Sequence, residues 1–262
     1  MQKYFFNTAT RAWRTALTGF LFIAFGLGSL CLSYGFFNLL ALICPKSSKR
    51  RTVFRSLVRR VFQFFFYVIH KIGLISYRIE GRENLKNLQG TIVIANHPSL
   101  IDIVCLLSLC PNATCIVKPA LKRNIFLRGV IICANYIIAS DFEFLTNQVR
   151  EVLDNGENLI VFPEGTRTGQ DEILTLQRGT AKLAHILNAP VLPVVLTVHP
   201  RILSKKSSWH ETGEEKAIFH VEIKEPFRLN SIIDPATPPS LVTRVATRYF
   251  ATILRPDGQE IG

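Results

Sequence analysis

The first 80 residues contain a single acidic residue, Glu80, and no residue between Arg14 and Lys46 is charged. Twelve basic residues stand against that one acid, so this part supplies +11 of the net charge of +12. Such a strong positive balance is typical of proteins that bind nucleic acid or an anionic membrane surface. Because the charges bracket apolar sequence and do not form a free basic arm, we expect a membrane partner and no nucleic acid.

The cysteines lack the spacing of a metal site, since there is no Cys-x2-Cys pair and no histidine at ligand distance in sequence. Most of the six lie inside apolar runs. Reduced, buried thiols in a cytoplasmic domain are the expected explanation. The sequence also shows no internal repeat and no low-complexity segment.

The uncharged run Thr15–Cys44 is longer than the core of a signal peptide, which is about 7 to 15 residues. As a helix it would measure about 45 Å, against about 30 Å for the hydrocarbon of a bilayer. One tilted or partly protruding span is therefore favoured over a hairpin of two spans. A shallow re-entrant hairpin through Gly26, Gly28 and Gly35 remains the alternative.

The basic residues on the two sides of this run predict its orientation. Seven follow it within Lys46–Arg60 and three precede it, so the C-terminal side is expected in the cytoplasm. We expect a bacterial inner (cytoplasmic) membrane protein whose remaining domain faces the cytoplasm, with residues 1–52 as its membrane anchor segment.

Residues 53–80 are predicted to form an amphipathic interfacial helix and a linker. Polar and basic residues recur every four positions on one side, namely Arg55, Arg59, Gln63, Tyr67 and Lys71. Phenylalanines fill much of the rest. This pattern favours a helix in the interface, with its basic side toward anionic head groups and its aromatic side toward acyl chains. The alternative is a core helix of the following domain.

Residues 81–262 alternate between strand-like and helical runs, which predicts an α/β domain with a mostly parallel central sheet covered by helices. The predicted strands are 91–95, 113–117, 136–139, 158–162, 191–198 and 217–223. The predicted helices are 101–109, 121–132, 143–155 and 173–187, with a closing helix over 239–254.

The stretch Thr91–Asp102 ends a buried strand with a His-x4-Asp pair. On a continuous helix, residues five apart are separated by about 140° and could not converge. Pro98 keeps His97 out of helical conformation, so that Asp102, in the first turn of the next helix, can reach back to the imidazole. The carboxylate would fix the tautomer and make the other nitrogen a better base.

No serine or cysteine nucleophile with its own motif lies nearby, so the natural task of the pair is to take a proton from a substrate hydroxyl. The plainer interpretation is a chance pairing, with Asp102 complementing the helix dipole. A second cluster, Pro163-Glu164-Gly165-Thr166-Arg167, follows the predicted strand Asn158–Phe162. By itself it would be read as a charged turn.

The two clusters together resemble the sequence blocks of the 1-acylglycerol-3-phosphate (lysophosphatidate) acyltransferase family of glycerolipid acyltransferases. They read Asn-His-Pro-Ser-Leu-Ile-Asp and Val-Phe-Pro-Glu-Gly-Thr-Arg. Leu192-Pro193-Val194 matches a later block, and the resemblance covers about Gly81 to Val198. It implies a glycerolipid acyltransferase-like fold. The implied catalytic residues are His97 as general base and Asp102. The implied substrate-binding residues are Glu164, Gly165, Thr166 and Arg167. Arg167 or Lys118 could bind a phosphate. Arg178 is expected either to bind an anion or to cap a helix.

One block departs from the family pattern. Where the family carries an arginine for the acceptor phosphate, this chain reads Tyr136-Ile137-Ile138-Ala139-Ser140-Asp141. The hypothesis is therefore acyl transfer from acyl carrier protein (acyl-ACP) or coenzyme A (acyl-CoA) thioesters to a lysophospholipid. The acceptor is lysophosphatidate or another lipid, such as a lyso-ornithine lipid. No metal or other cofactor is expected, because a thioester is already activated. A non-catalytic membrane lipid-binding protein and a thioester hydrolase are the alternatives.

Overall fold

The computed structural model describes residues 2–37, 39, 48–167, 174–203 and 215–256. Within these ranges one eight-stranded sheet forms the centre of the molecule. Its strands are β1 (Ile75–Glu80), β2 (Ile92–Ala95), β3 (Ala113–Val117), β4 (Ile137–Ile138), β5 (Asn158–Val161), β6 (Pro190–His199), β7 (Ala217–Ile223) and β8 (Phe227–Arg228). The helices are α1 (Gln2–Leu30), α2 (Ser48–Lys71), α3 (Asp102–Leu109), α4 (Arg128–Cys133), α5 (Phe142–Asp154), α6 (Arg178–Leu187) and α7 (Pro239–Ile253).

The strand order is β1-β7-β6-β2-β5-β3-β4, with β8 paired to β6. The five strands β6, β2, β5, β3 and β4 are parallel to one another. Strands β7 and β8 run antiparallel to β6, and β1 is parallel to β7. The predicted mostly parallel α/β sheet is therefore confirmed. The parallel strands all end at one edge of the sheet, which we call the catalytic edge.

Both faces of the central strands are buried. In β2, Val93 and Ala95 pack into one apolar cluster with residues of α2 and α3, while Ile92 and Ile94 pack into a second cluster with α5, α6 and α7. A strand covered on both faces needs apolar side chains at every position, which is why this segment reads as a continuous apolar run.

The sheet begins earlier in the chain than the sequence suggested. Ile75–Glu80 lies in the segment predicted as interfacial helix and linker, yet all six residues pair in register with β7. Gly73 and Gly81, both at positive φ, separate this strand from α2 and from the following turn. The short strand β8 was not predicted either.

The predicted helix over residues 121–132 is wrong in its first half. A 3-10 turn spans Pro119–Arg123, and α4 begins only at Arg128. Between them, the Asn124 side chain accepts a hydrogen bond from the Phe126 N–H at 2.9 Å. Such an Asx turn offers the backbone an alternative to the helix, which explains the break. The other predicted helices are present, with α6 beginning at Arg178; residues 168–173 lie outside the described ranges.

Part of the predicted basic face of α2 is turned toward the domain. Arg55 is buried and pairs with buried Glu157 at 2.6 Å. Arg59 and Gln63 donate hydrogen bonds to the Ser108 carbonyl at the end of α3, at 3.2 Å and 2.9 Å. Unpaired carbonyls at a helix C-terminus attract cations. These side chains therefore attach α2 to the domain, which favours the alternative of a core helix.

The N-terminal helix is continuous through its glycines. Helix α1 runs through Gly26 and Gly28 and continues as a π-helical turn over Cys31–Phe36, which contains Gly35. These residues therefore form no hairpin turn. By length and composition, Ala12–Phe36 could cross a membrane. The five cysteines in the described ranges are free thiols, and Cys44 lies outside those ranges.

Candidate active site

The two sequence clusters meet because β2 and β5 are neighbouring parallel strands. Ile94 pairs with Val161, one residue before the end of β2 and at the last residue of β5. The residues that follow, Asn96 and His97 on one strand and Phe162 to Glu164 on the other, therefore leave the catalytic edge side by side. The carboxyl ends of parallel strands are the usual place for active sites in α/β proteins.

His97 and Asp102 form the predicted pair. The distance from His97 Nδ1 to Asp102 Oδ2 is 2.9 Å, and the same carboxylate oxygen accepts the Ser99 N–H at 2.6 Å. Asp102 is the first residue of α3, so its place in the first helical turn is as the spacing predicts. The helix starts at Asp102, because residues 99–101 form a turn that brings the Asp102 carboxylate back to His97.

The imidazole is held on one face as well as at one nitrogen. The Phe162 ring stacks on it with centroids 4.0 Å apart and an angle of 16° between the planes. The His97 side chain is 17% exposed, whereas that of Asp102 is fully buried. With Nδ1 engaged by the carboxylate, Nε2 is the nitrogen available to a substrate. Sequence analysis missed Phe162; its place at the end of the strand beside β2 is the signal that could have identified it.

The environment of Asp102 sets up opposing effects on its pKa. Burial raises the pKa of the Asp102 carboxyl, whereas the hydrogen bonds from His97 and Ser99 and the charge of Arg167 act to lower it. The net direction is upward, because the carboxyl has lost all contact with water.

Glu164 holds the backbone of His97. Its Oε1 accepts the His97 N–H at 2.7 Å, and the residue is 5% exposed. Gly165, at φ +69°, allows the chain to turn back so that its N–H bonds to the Phe162 carbonyl at 3.0 Å. Thr166 and Gly165 are exposed on this turn. The acceptor-binding role implied for Glu164 must therefore be weighed against a positioning role.

Arg167 is attached to a third segment at the catalytic edge. Its Nη1 donates to the Leu203 carbonyl at 3.0 Å, and the same carbonyl accepts the Leu100 N–H at 3.1 Å. Residues 200–203, which follow β6, thereby join both motif loops. Asn96 adds a further link, because its buried side chain exchanges hydrogen bonds of 2.8 Å and 2.6 Å with the backbone of Leu196 in β6. Sequence analysis identified neither link.

The structure places the other two predicted site residues at the catalytic edge without direct contact to the His97–Asp102 pair. Lys118 is exposed directly after β3. Arg178 is exposed at the first residue of α6, and the preceding N–H, that of Gln177, donates to the Pro163 carbonyl at 2.7 Å. Neither side chain forms a hydrogen bond with His97, Asp102 or Glu164 in the described ranges.

The segment in which the family pattern has an arginine follows β4 at the catalytic edge. Ser140 is exposed there, and Asp141 caps helix α5 by accepting the Phe144 N–H at 2.9 Å. The chain therefore presents a hydroxyl and a carboxylate where the family pattern has a cation.

An apolar cavity of about 370 Å³ lies beside the pair. Leu100 and Ile101, which separate His97 from Asp102 along the chain, form part of its wall, and Cys115 and Tyr136 lie toward the opposite edge of the sheet. Arg14 and Glu215 are the charged residues among its described lining. This volume falls in the range of small-molecule sites, about 300 to 1,000 Å³. Its apolar lining suits a hydrocarbon chain.

A histidine with a buried carboxylate partner, at the carboxyl edge of a parallel sheet and beside an apolar cavity, is an arrangement in an α/β fold that suits acyl-group chemistry. Residues 76–197 match the family model described as Acyltransferase. The match covers a little under half of the chain, and over that segment the chain is similar to acyltransferases.

Individual relatives show a similar degree of sequence similarity. The chain is 32% identical over 132 residues to the 1-acyl-sn-glycerol-3-phosphate acyltransferase of Limnanthes alba, covering 47% of this chain and 46% of the relative. It is 25% identical over 151 residues to the alpha form of that enzyme from Mus musculus, covering 53% and 52%. The chain thus spans about half the length of the curated relatives it matches.

A solved structure shares the fold over most of both chains. The 1-acyl-sn-glycerophosphate acyltransferase of Thermotoga maritima superposes with a TM-score of 0.69 at 20% identity, covering 92% of this chain and 96% of that one. At this identity the likeness concerns the fold alone.

Proposed function

We propose that this protein transfers a fatty acyl group from an acyl thioester to the free hydroxyl of a lysophospholipid such as 1-acylglycerol-3-phosphate. The observation that carries the proposal is the 2.9 Å contact between His97 and Asp102, with Leu100 and Ile101 between them in the wall of the apolar cavity. It combines a base for the hydroxyl with a site for a hydrocarbon chain. The motif residues and the match of residues 76–197 to the acyltransferase family model support the same reaction class.

The reaction balances with the residues present. His97 Nε2 takes the proton of the acceptor hydroxyl as the hydroxyl oxygen attacks the thioester carbonyl. The resulting tetrahedral intermediate collapses, the carbon–sulfur bond breaks, and the thiolate leaves with the proton from Nε2. Asp102 keeps Nδ1 protonated and stabilises the imidazolium between the two steps, as the carboxylate does in a catalytic triad. This sequence of steps needs no metal or other cofactor, because the thioester is already activated.

The acceptor's polar head is proposed to bind at the cationic side of the catalytic edge. Arg167 is anchored there, and Lys118 and Arg178 are exposed after β3 and before α6. A guanidinium can bind a phosphate with two hydrogen bonds. We propose that these cations, with the Gly165-Thr166 turn, receive the phosphate that the absent arginine would otherwise hold.

A second acceptor class is favoured by one observation. Ser140 and Asp141 stand where the family pattern has its arginine, and a carboxylate repels phosphate but attracts an ammonium group. A lyso-ornithine lipid or another lipid with an amine-bearing head group is therefore the second candidate. The donor, acyl-ACP or acyl-CoA, is proposed to approach from the cytoplasm, with the protein on the bacterial inner membrane.

The test is acyl transfer by washed membranes that contain the protein or its His97→Ala variant. Labelled acyl-ACP and acyl-CoA are each offered with lysophosphatidate and, separately, with a mixed lysolipid extract. A positioned base contributes about 10²- to 10⁴-fold, so His97→Ala should lower turnover by that factor. His220→Ala is the matched control, because His220 is partly exposed on β7 and pairs with Glu80 at 3.3 Å.

The outcomes separate the alternatives. Product from lysophosphatidate that depends on His97 supports the first acceptor, and product only from the extract supports the second. Free fatty acid without any lysolipid would identify a hydrolase. A near-normal rate in membranes that contain folded His97→Ala protein would overturn the role of His97. No transfer to any acceptor would overturn the proposed activity and favour a lipid-binding protein without catalysis.

A further inference from the structure

The segment that follows β6 contains one residue with an unusual backbone conformation. Leu203 has a φ of +52°, in the left-handed region. The other non-glycine residues with positive φ in the described part of the chain are all asparagines, namely Asn87, Asn112, Asn135 and Asn188. Asparagine tolerates this region because its short polar side chain can bond locally, whereas a bulky apolar side chain does not. The surroundings of Leu203 therefore hold it in a strained conformation.

The carbonyl of Leu203 joins the two motif loops. It accepts the Leu100 N–H at 3.1 Å and a hydrogen bond from Arg167 Nη1 at 3.0 Å. Leu100 belongs to the turn between His97 and Asp102, and Arg167 ends the second cluster. One carbonyl oxygen thus holds both loops, and its direction depends on the backbone conformation of Leu203.

The positions of these two donors bear on the His97–Asp102 pair. Leu100 lies in the turn that brings the Asp102 carboxylate back to the imidazole. The charge of Arg167 acts on the same carboxyl and tends to lower its pKa against the effect of burial. A shift of the Leu203 carbonyl would release both donors. A misplacement of about 1 Å in an active site can lower the rate by up to about 100-fold.

Leu203 also lines the apolar cavity. Its neighbour Ile202 lines the same cavity, as do Leu100 and Ile101 of the turn between His97 and Asp102. The two segments that the hydrogen bond joins are therefore both in contact with a chain that fills the cavity. Such a chain adds dispersion contacts to each of them. Filling of the cavity therefore stabilises the joined arrangement.

We propose that Leu203 is a positioning residue that couples the filling of the cavity by an acyl chain to the geometry of the His97–Asp102 turn. A chain that packs on Leu203 holds it in the left-handed conformation, and its carbonyl then fixes Leu100 and Arg167. A chain too short to reach Leu203 leaves it able to relax, and the two donors lose their shared acceptor. The kinetic test of this inference rests on the proposed acyl transfer, whereas the structural test does not.

Two plainer roles of Leu203 lead to different results. A residue that only lines the cavity changes KM for the donor. A residue that only supports the fold changes kcat by the same factor with every donor. The coupling instead changes kcat by a factor that depends on the length of the acyl chain.

The first experiment compares hexanoyl and palmitoyl thioesters as donors in washed membranes. The parent protein should have the higher kcat with the palmitoyl donor. Leu203→Asn keeps a residue that tolerates positive φ but removes the apolar side chain. Its kcat should fall about tenfold with the palmitoyl donor and stay within about twofold with the hexanoyl donor. Leu203→Met retains an apolar side chain of similar volume and should behave like the parent.

Leu121→Asn is the matched comparison. Leu121 lines the same cavity, but its N–H donates to the Lys118 carbonyl at 3.0 Å and not to a motif loop. This change should raise KM for the palmitoyl donor, with its effect confined to KM. Three results would overturn the proposal: an equal fall in kcat with both donors for Leu203→Asn, a change in its KM alone, or a parent kcat that is independent of chain length.

The second experiment needs no acyl transfer. Hydrogen exchange of the peptide that contains the Leu100 amide is measured by mass spectrometry on the full chain in lipid nanodiscs, with and without palmitate. Palmitate should slow the exchange of this amide about tenfold in the parent and in Leu203→Met, because its hydrogen bond opens less often. It should not slow the exchange in Leu203→Asn.

The two experiments separate this inference from the proposed function. Exchange that palmitate leaves unchanged in the parent would overturn the coupling even in an active acyltransferase. Slower exchange with palmitate in a protein that transfers no acyl group would support the coupling and contradict the proposed function alone.

Discussion

The Glu164 carboxylate accepts the backbone N–H of His97 at 2.7 Å, although the two residues are 67 positions apart in the chain. The contact joins the two clusters that the sequence displays separately. It also means that the second cluster holds the proposed base, His97, in place before any substrate arrives.

Glu164→Gln should retain most of the activity of the parent, because an amide oxygen can still accept the His97 N–H. Glu164→Ala leaves that buried N–H without an acceptor, so kcat should fall by about 10-fold or more. Steady-state kinetics with varied acceptor checks this. If Glu164 instead binds the acceptor through its charge, both variants should raise KM for the acceptor and leave kcat similar.

Asp102→Asn should abolish most activity without loss of stability. Burial raises the pKa of this carboxyl, so the folded protein binds the proton more tightly than the unfolded chain does. Its contribution to stability is therefore full below the ordinary aspartate pKa of about 3.9 and is lost as pH rises through the folded-state value. At neutral pH the ionised group costs stability that a neutral amide does not.

The expected result for Asp102→Asn is a Tm equal to or above that of the parent at neutral pH. The difference should narrow as the pH is lowered toward the ordinary aspartate value. Turnover should fall about 10²- to 10⁴-fold, because the amide N–H₂ turns the imidazole to the wrong tautomer. Asp154→Asn, at an exposed site, serves as control. A clear drop in Tm for Asp102→Asn alone at neutral pH would contradict the argument.

Cys115→Leu should shift the acyl-chain preference toward shorter chains. Cys115 is buried in β3 and lines the cavity toward the edge away from His97, so a larger side chain there removes room for the end of the chain. Each methylene excluded is worth about 0.8 kcal/mol, or about fourfold in relative rate. Competition between donors of different length measures the shift. Cys110→Leu, also buried but outside the cavity lining, should not change the preference.

Arg55→Met should destabilise the fold strongly. Arg55 pairs with Glu157 at 2.6 Å and donates to the Ala134 carbonyl at 2.8 Å, and both charged side chains are almost fully buried. Removing Arg55 leaves the buried Glu157 carboxylate with only the more exposed Arg51, at 3.3 Å, as a cation partner. The loss of a buried ion pair costs up to about 3 to 5 kcal/mol in the free energy of unfolding. Denaturant unfolding in detergent measures the change. Arg60→Met, at an exposed site on the same helix, should stay within about 0.5 kcal/mol of the parent; an equal loss in both variants would refute the role of the pair.

The contact between His97 and Asp102 could be predicted from sequence, because the two residues are close together in the chain. Pro98 restricts the backbone of His97, and Asp102 follows within one turn, so no distant residue is needed to bring them together. The alternation of buried strands and helices was equally readable, because strands covered on both faces are continuously apolar. The order of those strands was not. β1 was missed because its partner β7 begins 142 residues after it.

The sequence by itself determined that this protein combines an apolar N-terminal helix with a parallel α/β sheet and a His-x4-Asp turn, because short-range sterics and hydrophobic periodicity dictate each of these. Only the tertiary structure decided which faces meet. Arg55 and Arg59 of α2 turned inward, to Glu157 and to the end of α3, and Phe162 came to stack on His97. A helix with polar and apolar residues on several sides has more than one possible partner, and packing of the whole chain selects among them.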